Sequence, residues 1–84
     1  MHDFHIADLI YKAILAEAEK NQLQKIKSAV INLGSIMEHG EFIQPENLIF
    51  NIKMLAKNSI ADDLEVIVNS VEGDNWILKE IEGD

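Results

Sequence analysis

The sequence contains no cysteine and no arginine, and only one proline among its 84 residues. Without cysteine, the chain has no disulfide, no thiolate metal site and no cysteine nucleophile. All seven basic residues are lysines, set against 15 acidic residues, so the formal net charge is −8. A strongly acidic chain without a basic patch is not expected to bind nucleic acid or an anionic membrane surface.

Long apolar segments and phosphate-binding motifs are missing as well. No apolar run approaches the roughly 18 residues that cross a bilayer, and the start Met1-His2-Asp3 lacks the pattern of a signal peptide. The four glycines are scattered, and no P-loop, G-x-S-x-G or HExxH motif occurs. We therefore expect a soluble, cytoplasmic protein that is not an enzyme.

Two segments have the periodicity of amphipathic helices. The first runs from about residue 3 to residue 21, with Asp3 as the expected N-cap. The second begins at Pro45, because proline suits the first helical position, and ends near Asn58, which tolerates a left-handed conformation. The apolar stripes consist of Ile6, Leu9, Ile10, Ala13, Ile14 and Ala18 in the first helix, and Leu48, Ile49, Ile52, Leu55 and Ala56 in the second.

Three segments indicate β-strands, at residues 25–33, 64–71 and 76–82. The last two are separated by the turn 72–75, whose length and glycine are typical of a hairpin. Ile60, in the connection that follows the second helix, is expected to fill the core.

The element order is α-β-α-β-β, in a single domain over residues 1–84. A strand, a helix and a further strand form a right-handed parallel crossover, and the last strand is antiparallel. Such a sheet has one good apolar face. We therefore predict an α+β two-layer sandwich, with two helices on one face of a three-stranded mixed sheet. The pattern leaves open whether the last strand lies beside the second strand or crosses to the first.

The histidines are the residues most informative about chemistry. His2 is too large for removal of the initiator methionine, so Met1 is expected to remain. The Met1 amine, the His2 amide and imidazole, and the Asp3 amide offer nitrogen ligands to one ion. A nitrogen square suits Ni(II) or Cu(II) better than tetrahedral Zn(II). On the residues alone, we favour the plainer interpretation, that His2 is a terminal residue without a ligand role.

The other candidates have plainer interpretations. His5, about one helical turn from His2, is either an auxiliary ligand or, as we favour, an exposed helix residue. His39, in the loop before the second helix, is expected to face solvent, and Trp76 to pack in or beside the core. The acidic residues fall on polar helix faces and turns, which indicates a solvated acidic surface and not an acid–base pair.

Several segments, in order along the chain, resemble those of a known family. The start Met1-His2-Asp3-Phe4-His5 is similar to a Met-His-Glu opening ahead of an amphipathic helix. Further similar segments are residues 25–34, 45–50, 55–61, 64–66 and 76–82. Together they resemble the HypA/HybF family of hydrogenase nickel-incorporation proteins over nearly the whole chain. The α-β-α-β-β order agrees with the nickel-binding domain of that family.

The resemblance implies a nickel-binding, metallochaperone-like protein for maturation of a nickel enzyme such as nickel–iron hydrogenase. It implies that His2 binds Ni(II) together with backbone groups of Met1 and Asp3. The implied partners are a nickel-handling GTPase and a nickel-enzyme precursor. Asp3 stands where the family has Glu, so a carboxylate contact would reach one methylene less.

A second departure concerns zinc. The family inserts a zinc module with two Cys-x-x-Cys pairs between its last two strands, where this chain has only the turn 72–75. No zinc site is therefore expected. The missing module keeps a second hypothesis open, a non-metal protein-interaction or regulatory module on the same scaffold. A third, a small-ligand or enzymatic domain, lacks a visible nucleophile, acid–base pair or phosphate loop.

Overall fold

The computed structural model describes residues 5–38 and 40–84. Within these residues, two helices and five strands follow one another. They are α1 (His5–Lys20), β1 (Ile26–Leu33), β2 (Met37–Glu38), β3 (Glu41–Phe42), α2 (Pro45–Ala56), β4 (Glu65–Ser70) and β5 (Trp76–Gly83). The short strands β2 and β3 pair with each other in the loop before α2, where only a loop was expected.

The main sheet has three strands in the order β4-β1-β5, so β1 is central. β4 runs parallel to β1, with Val30 opposite Ile67. β5 runs antiparallel to β1, with Asn32 opposite Ile77. These pairings confirm the predicted mixed sheet, and they show that the last strand crosses to the first. The interpretation of the turn 72–75 as a hairpin turn is wrong, because the two strands that it joins lie on opposite edges of the sheet.

Both helices pack on one face of the sheet, as predicted. α1 contacts β5 and α2, and α2 contacts β4. Residues four positions apart in each helix are fully buried, among them Ile10 and Ile14 in α1 and Leu48 and Ile52 in α2. Burying one such side chain stabilises the fold by roughly 1.5–3 kcal/mol. No polar side chain is buried in the described part of the chain, so apolar contacts form the core.

The end of β1 lies directly against the turn 72–75. The Gly34 N–H donates a hydrogen bond to the Asn75 carbonyl at 2.8 Å, and the Ser35 N–H donates to the Gly73 carbonyl at 2.7 Å. A Cβ atom on residue 34 would lie only 2.6 Å from the Gly73 carbonyl oxygen. The close approach of the two backbones therefore requires glycine at position 34.

The predicted ends of α2 are confirmed, but the expectation for Ile60 is wrong. α2 begins at Pro45, and Asn58 has the left-handed φ of 63°. Ile60 is 42% exposed, whereas Ala61 and Leu64 fill the core beside it. The Ile60 carbonyl accepts a hydrogen bond from the Ile26 N–H at 2.9 Å, so the backbone of residue 60, and not its side chain, meets the sheet.

The expectations for Trp76, for the helix cap Asp3 and for membrane-crossing segments remain. Trp76 is partly buried against the core, as predicted. The expected N-cap Asp3 lies outside the described residues. Within residues 5–38 and 40–84, no helix is long and apolar enough to cross a membrane.

Candidate functional site

The start of α1 is fixed to the core by its first turn. His5 is the first residue of the helix, and its side chain is exposed, as expected. Ile6 is partly buried against the core, and Ala7 is only 1% exposed. The Lys12 ammonium lies 3.0 Å from the Asp8 carboxylate on the outer surface. The segment that carries the predicted metal ligands is therefore joined directly to an anchored helix.

The predicted metal ligands Met1, His2 and Asp3 lie outside the described residues, as does His39. Among the residues that the structure does describe, no group of three or more His, Cys, Asp or Glu side chains could hold a metal ion. The ligand set at the N-terminus therefore stays a prediction, and the described part contributes the surface next to it.

A groove of about 390 Å³ opens beside the start of α1, between β3 and α2. Ile6 and Ala7 line it on the side of α1, and Phe42 and Phe50 line it on the other sides. Glu41 is the one ionisable side chain among the described lining residues, and the remaining polar side chains are the amides Gln44, Asn47 and Asn51. A single carboxylate is too little for a metal site, so this groove suits apolar side chains with amide hydrogen bonds at the rim.

A larger groove of about 870 Å³ lies between the C-terminal half of α1 and the edge strand β5, away from the start of α1. It is open to solvent, and its described lining contains neither histidine nor serine. Its ionisable side chains are Glu17, Lys27, Lys79, Glu80, Glu82 and Asp84, and the Lys27 ammonium lies 3.1 Å from the Asp84 carboxylate. These carboxylates belong to exposed residues. The groove thus matches the predicted solvated acidic surface, and its described lining has no hydroxyl or thiol side chain.

A patch of exposed aromatic and methionine side chains was not predicted from the sequence. Met37, Phe42, Phe50 and Met54 are 48–62% exposed, and we call them the aromatic–methionine patch. Met37 lies opposite Phe42 in the β2–β3 hairpin, Phe42 and Phe50 line the same groove, and Met54 follows Phe50 by one helical turn. The signal was present in the sequence, because Phe50 and Met54 fall outside the apolar stripe of α2.

The amino-acid sequence is similar to those of several curated proteins. No protein-family model matches it. It is 29% identical to the hydrogenase maturation factor HypA of Pyrococcus furiosus, over 96% of this chain and 61% of the relative. It is 23% identical to HypA of Rhizobium leguminosarum bv. viciae, over 93% and 66%, and 27% identical to HypA of Methanobrevibacter smithii, over 84% and 54%. The chain thus spans between about half and two thirds of the length of these relatives.

Two solved structures share the fold. The solution structure of the Ni metallochaperone HypA from Helicobacter pylori has a TM-score of 0.67 and 14% identity, and the similarity covers 95% of this chain and 72% of that one. A second solution structure, of a HypA protein, has a TM-score of 0.58 and 15% identity, with 99% and 69% covered. At these identities the similarity concerns the fold alone. The structural neighbours carry the same name, HypA, as the proteins found by sequence.

Proposed function

We propose that this chain, which is similar to HypA proteins over most of its length, binds nickel and acts as a metallochaperone-like protein in the maturation of a nickel enzyme such as a hydrogenase. The observation that carries the proposal is His2, placed directly after Met1 and just ahead of an amphipathic helix. The curated relatives are named hydrogenase maturation factors, and one structural neighbour is named a Ni metallochaperone. These names support the functional class.

The proposed ligands form a chelate from consecutive residues. The Met1 amine, the amide nitrogens of His2 and Asp3, and the His2 imidazole supply four nitrogens to one Ni(II) ion. Planar nitrogen coordination is a geometry that Ni(II) favours. Each amide gives up its proton on binding, and a protonated amine gives up one as well, so binding releases protons to the solvent.

The described residues support the proposal through position and charge. Ile6 and Ala7 fix the first turn of α1 to the core, so ligands just before His5 would be tethered to a folded domain. We propose that nickel passes from this site to a nickel-handling GTPase or to a nickel-enzyme precursor. The net charge of −8 favours a basic surface on that partner.

The test is a Ni(II) titration, followed by calorimetry and by absorbance, of an untagged chain that begins at Met1. We expect one Ni(II) per chain and the absorption band of planar nickel. His2→Ala removes the imidazole, and residues added before Met1 convert its amine to an amide, so both changes should abolish the band. His5→Ala is the matched control, because it removes an exposed histidine one turn away and should leave the band intact.

Two results would sink this ligand set. One is nickel binding that persists in both the His2→Ala and the extended form. The other is a complete absence of binding by the native chain. Loss of binding in His5→Ala would instead show that His5 belongs to the site.

A second candidate function is a protein-interaction module that does not deliver metal. The aromatic–methionine patch favours it, because exposed aromatic and methionine side chains are enriched at protein interfaces. Complementation of a knockout strain separates the two functions. If the His2→Ala chain restores hydrogenase activity as well as the native chain does, without added nickel, the interaction module is the better description.

A further inference from the structure

The face of the main sheet that points away from the two helices is exposed. Successive side chains of a strand point to opposite faces of a sheet. In β1, Ala29, Ile31 and Leu33 are buried on the helix side, so the residues between them point to the other side. Sheets of parallel strands are usually covered by helices on both faces. Within the part of the chain that the structure describes, the parallel pair of β1 and β4 has helices on one face only.

Three apolar side chains form a strip across this exposed face. Ile67 of β4 lies opposite Val30, and Ile77 of β5 lies opposite Asn32, the next outward residue of β1. The side chain of Val30 therefore lies beside that of Ile67, and Ile77 is its diagonal neighbour, a distance that long side chains bridge. Ile67 and Ile77 are 40% and 63% exposed, so the described residues leave the strip uncovered.

One end of the same face carries three carboxylates. Ser28 lies between Glu65 of β4 and Glu82 of β5, and Glu80 lies opposite Val30. All three glutamates are exposed, and at the edge of the sheet Glu80 and Glu82 also border the groove beside α1. We call the three apolar and the three acidic residues the outer sheet face: Val30, Ile67, Ile77, Glu65, Glu80 and Glu82.

The other end of the face carries amides instead of carboxylates. Asn69 lies opposite Asn32, and its side-chain amide donates a hydrogen bond to the Asn32 side-chain carbonyl at 3.4 Å. The six residues that pair with Ser28, Val30 and Asn32 include no lysine. The face is therefore negative at one end, neutral at the other end and apolar in between.

We propose that the outer sheet face binds an amphipathic helix of another protein, with an apolar stripe and with lysine or arginine at one end. The stripe would cover Val30, Ile67 and Ile77, and the basic side chains would meet the three glutamates. Covering the strip removes apolar surface from water, which favours association, and the complementary charges orient the helix. The asymmetry of the face thus selects the direction in which the helix lies.

The dimensions of the sheet suit one helix. Three strands at a spacing of about 4.8 Å make a face about 10 Å across, and a helix with its side chains is about 10–12 Å in diameter. β1 has eight residues and is about 26 Å long, which is the length of a helix of about 17 residues. A helix on this side would place the sheet between two helical layers, a common arrangement in proteins.

The charge of the face disfavours other occupants. Nucleic acids and anionic lipid surfaces would bring phosphate groups against the three carboxylates. A second copy of the chain carries the same net charge of −8, and both of its described helices already use their apolar stripes in its own core. A basic helix of a different protein therefore fits the face best.

The test uses a synthetic helical peptide of about 18 residues, with leucine on one face, alanine on the other and lysine in the last two turns. A second peptide has glutamate in place of every lysine. Each is titrated into the ¹⁵N-labelled chain with a metal chelator present, so the outcome is independent of the proposed nickel site. We expect the lysine peptide to shift the amide signals of Val30, Ile67 and Ile77, and to leave those of Phe50 and Met54 on α2 unchanged. The glutamate peptide should bind roughly tenfold more weakly.

A pair of double variants tests the apolar part of the site. Ile67→Ala combined with Ile77→Ala removes the exposed isoleucines of the outer sheet face and should raise the Kd of the lysine peptide by roughly tenfold. The matched control combines Phe50→Ala with Met54→Ala, which removes side chains that are 62% and 48% exposed on α2. That control should leave the affinity unchanged.

A second pair tests the charged part. Glu65→Lys combined with Glu82→Lys reverses two carboxylates of the face and should raise the Kd by roughly tenfold or more. The matched control combines Glu19→Lys with Asp62→Lys, which makes the same change in net charge at exposed residues outside the face. Its Kd should change by less than about twofold at physiological salt, because distant charges are screened. Circular dichroism would show that each variant keeps the native fold.

Any of four results would overturn the proposal. The first is no binding of the lysine peptide at concentrations up to roughly 1 mM. The second is binding that both charge pairs weaken equally, which would show general attraction to an acidic surface. The third is equal binding of the glutamate peptide. The fourth is a shift of the Ile67 and Ile77 signals on concentrating the chain alone, which would assign the face to a second copy.

Discussion

Gly34→Ala should destabilise the fold strongly, because the end of β1 lies against the turn 72–75. A Cβ atom on residue 34 would lie 2.6 Å from the Gly73 carbonyl oxygen and 2.8 Å from the Asn75 carbonyl oxygen. Both atoms belong to the backbone, so neither can rotate away. The strand end and the turn must therefore separate, which lengthens the hydrogen bonds that Gly34 and Ser35 donate at 2.8 and 2.7 Å.

The size of the effect follows from these contacts. Overpacking costs about 1–3 kcal/mol, and each lost hydrogen bond costs about 0.5–1.5 kcal/mol. Because both losses arise from one displacement, we expect about 2–4 kcal/mol in total. A chain of 84 residues has a free energy of unfolding of about 4–13 kcal/mol. The variant should thus lose a large fraction of its stability, with a melting temperature about 10–30 °C lower.

Urea unfolding at 25 °C, followed by far-ultraviolet circular dichroism, measures the loss. Ser35→Ala is the matched control, because it changes the exposed neighbour and keeps the N–H that donates to Gly73. That control should stay within about 0.5 kcal/mol of the native chain. If Gly34→Ala also stays within about 0.5 kcal/mol, the close contact between β1 and the turn is refuted.

Three further predictions concern packing, backbone conformation and metal. Ile52→Ala changes a fully buried position of α2 and should lower the free energy of unfolding by about 2–5 kcal/mol, measured in urea. Phe50→Ala changes an exposed position and, at low micromolar concentration, should lower it by less than about 0.5 kcal/mol. Similar losses in the two variants would contradict the assigned faces of α2. Asn58→Ala should lower the free energy of unfolding by about 1 kcal/mol, because residue 58 has a φ of 63° that alanine disfavours. Asn58→Gly should leave it unchanged. Equal effects of the two changes would contradict the left-handed conformation of residue 58. Nickel affinity should fall steeply as the pH falls from about 8 to about 6, because α-amines gain protons near pH 7.7–8.0 and imidazoles near pH 6.5. A calorimetric affinity that is flat over this range would contradict nitrogen coordination.

The helices and the sheet class were predictable because apolar spacing reports burial directly. Ile10 and Ile14 in α1, and Leu48 and Ile52 in α2, are apolar in the sequence and fully buried in the fold. Pro45 marked the start of α2 for a local reason, the missing N–H of proline. Such signals need only neighbouring residues.

The position of β5 was not predictable, because it depends on contacts between distant residues. The turn 72–75 has a length that fits a hairpin, yet Ile77 pairs with Asn32, more than 40 positions earlier. The β2–β3 hairpin was missed because strands of two residues have no alternation to detect. Ile60 was misplaced because its backbone carbonyl, and not its side chain, binds β1.

The candidate site also has a part that the sequence predicts and a part that only the fold shows. His2 could be named as a candidate ligand because its chemistry and the family resemblance are both visible in the sequence. The aromatic–methionine patch needed the fold, because Met37 and Phe42 come from a hairpin while Phe50 and Met54 come from α2. Only the structure brings Phe42 and Phe50 to one groove.

The central claim, nickel at the N-terminus, is tested most directly by nuclear magnetic resonance of the ¹⁵N-labelled native chain with one equivalent of Ni(II). Planar Ni(II) is diamagnetic, so we expect sharp signals, with shifts concentrated at His5, Ile6 and Ala7 in the first turn of α1. The same addition to His2→Ala should shift none of them. Unchanged signals at the start of α1, or shifts confined to acidic residues such as Glu80 and Glu82 beside β5, would contradict the claim.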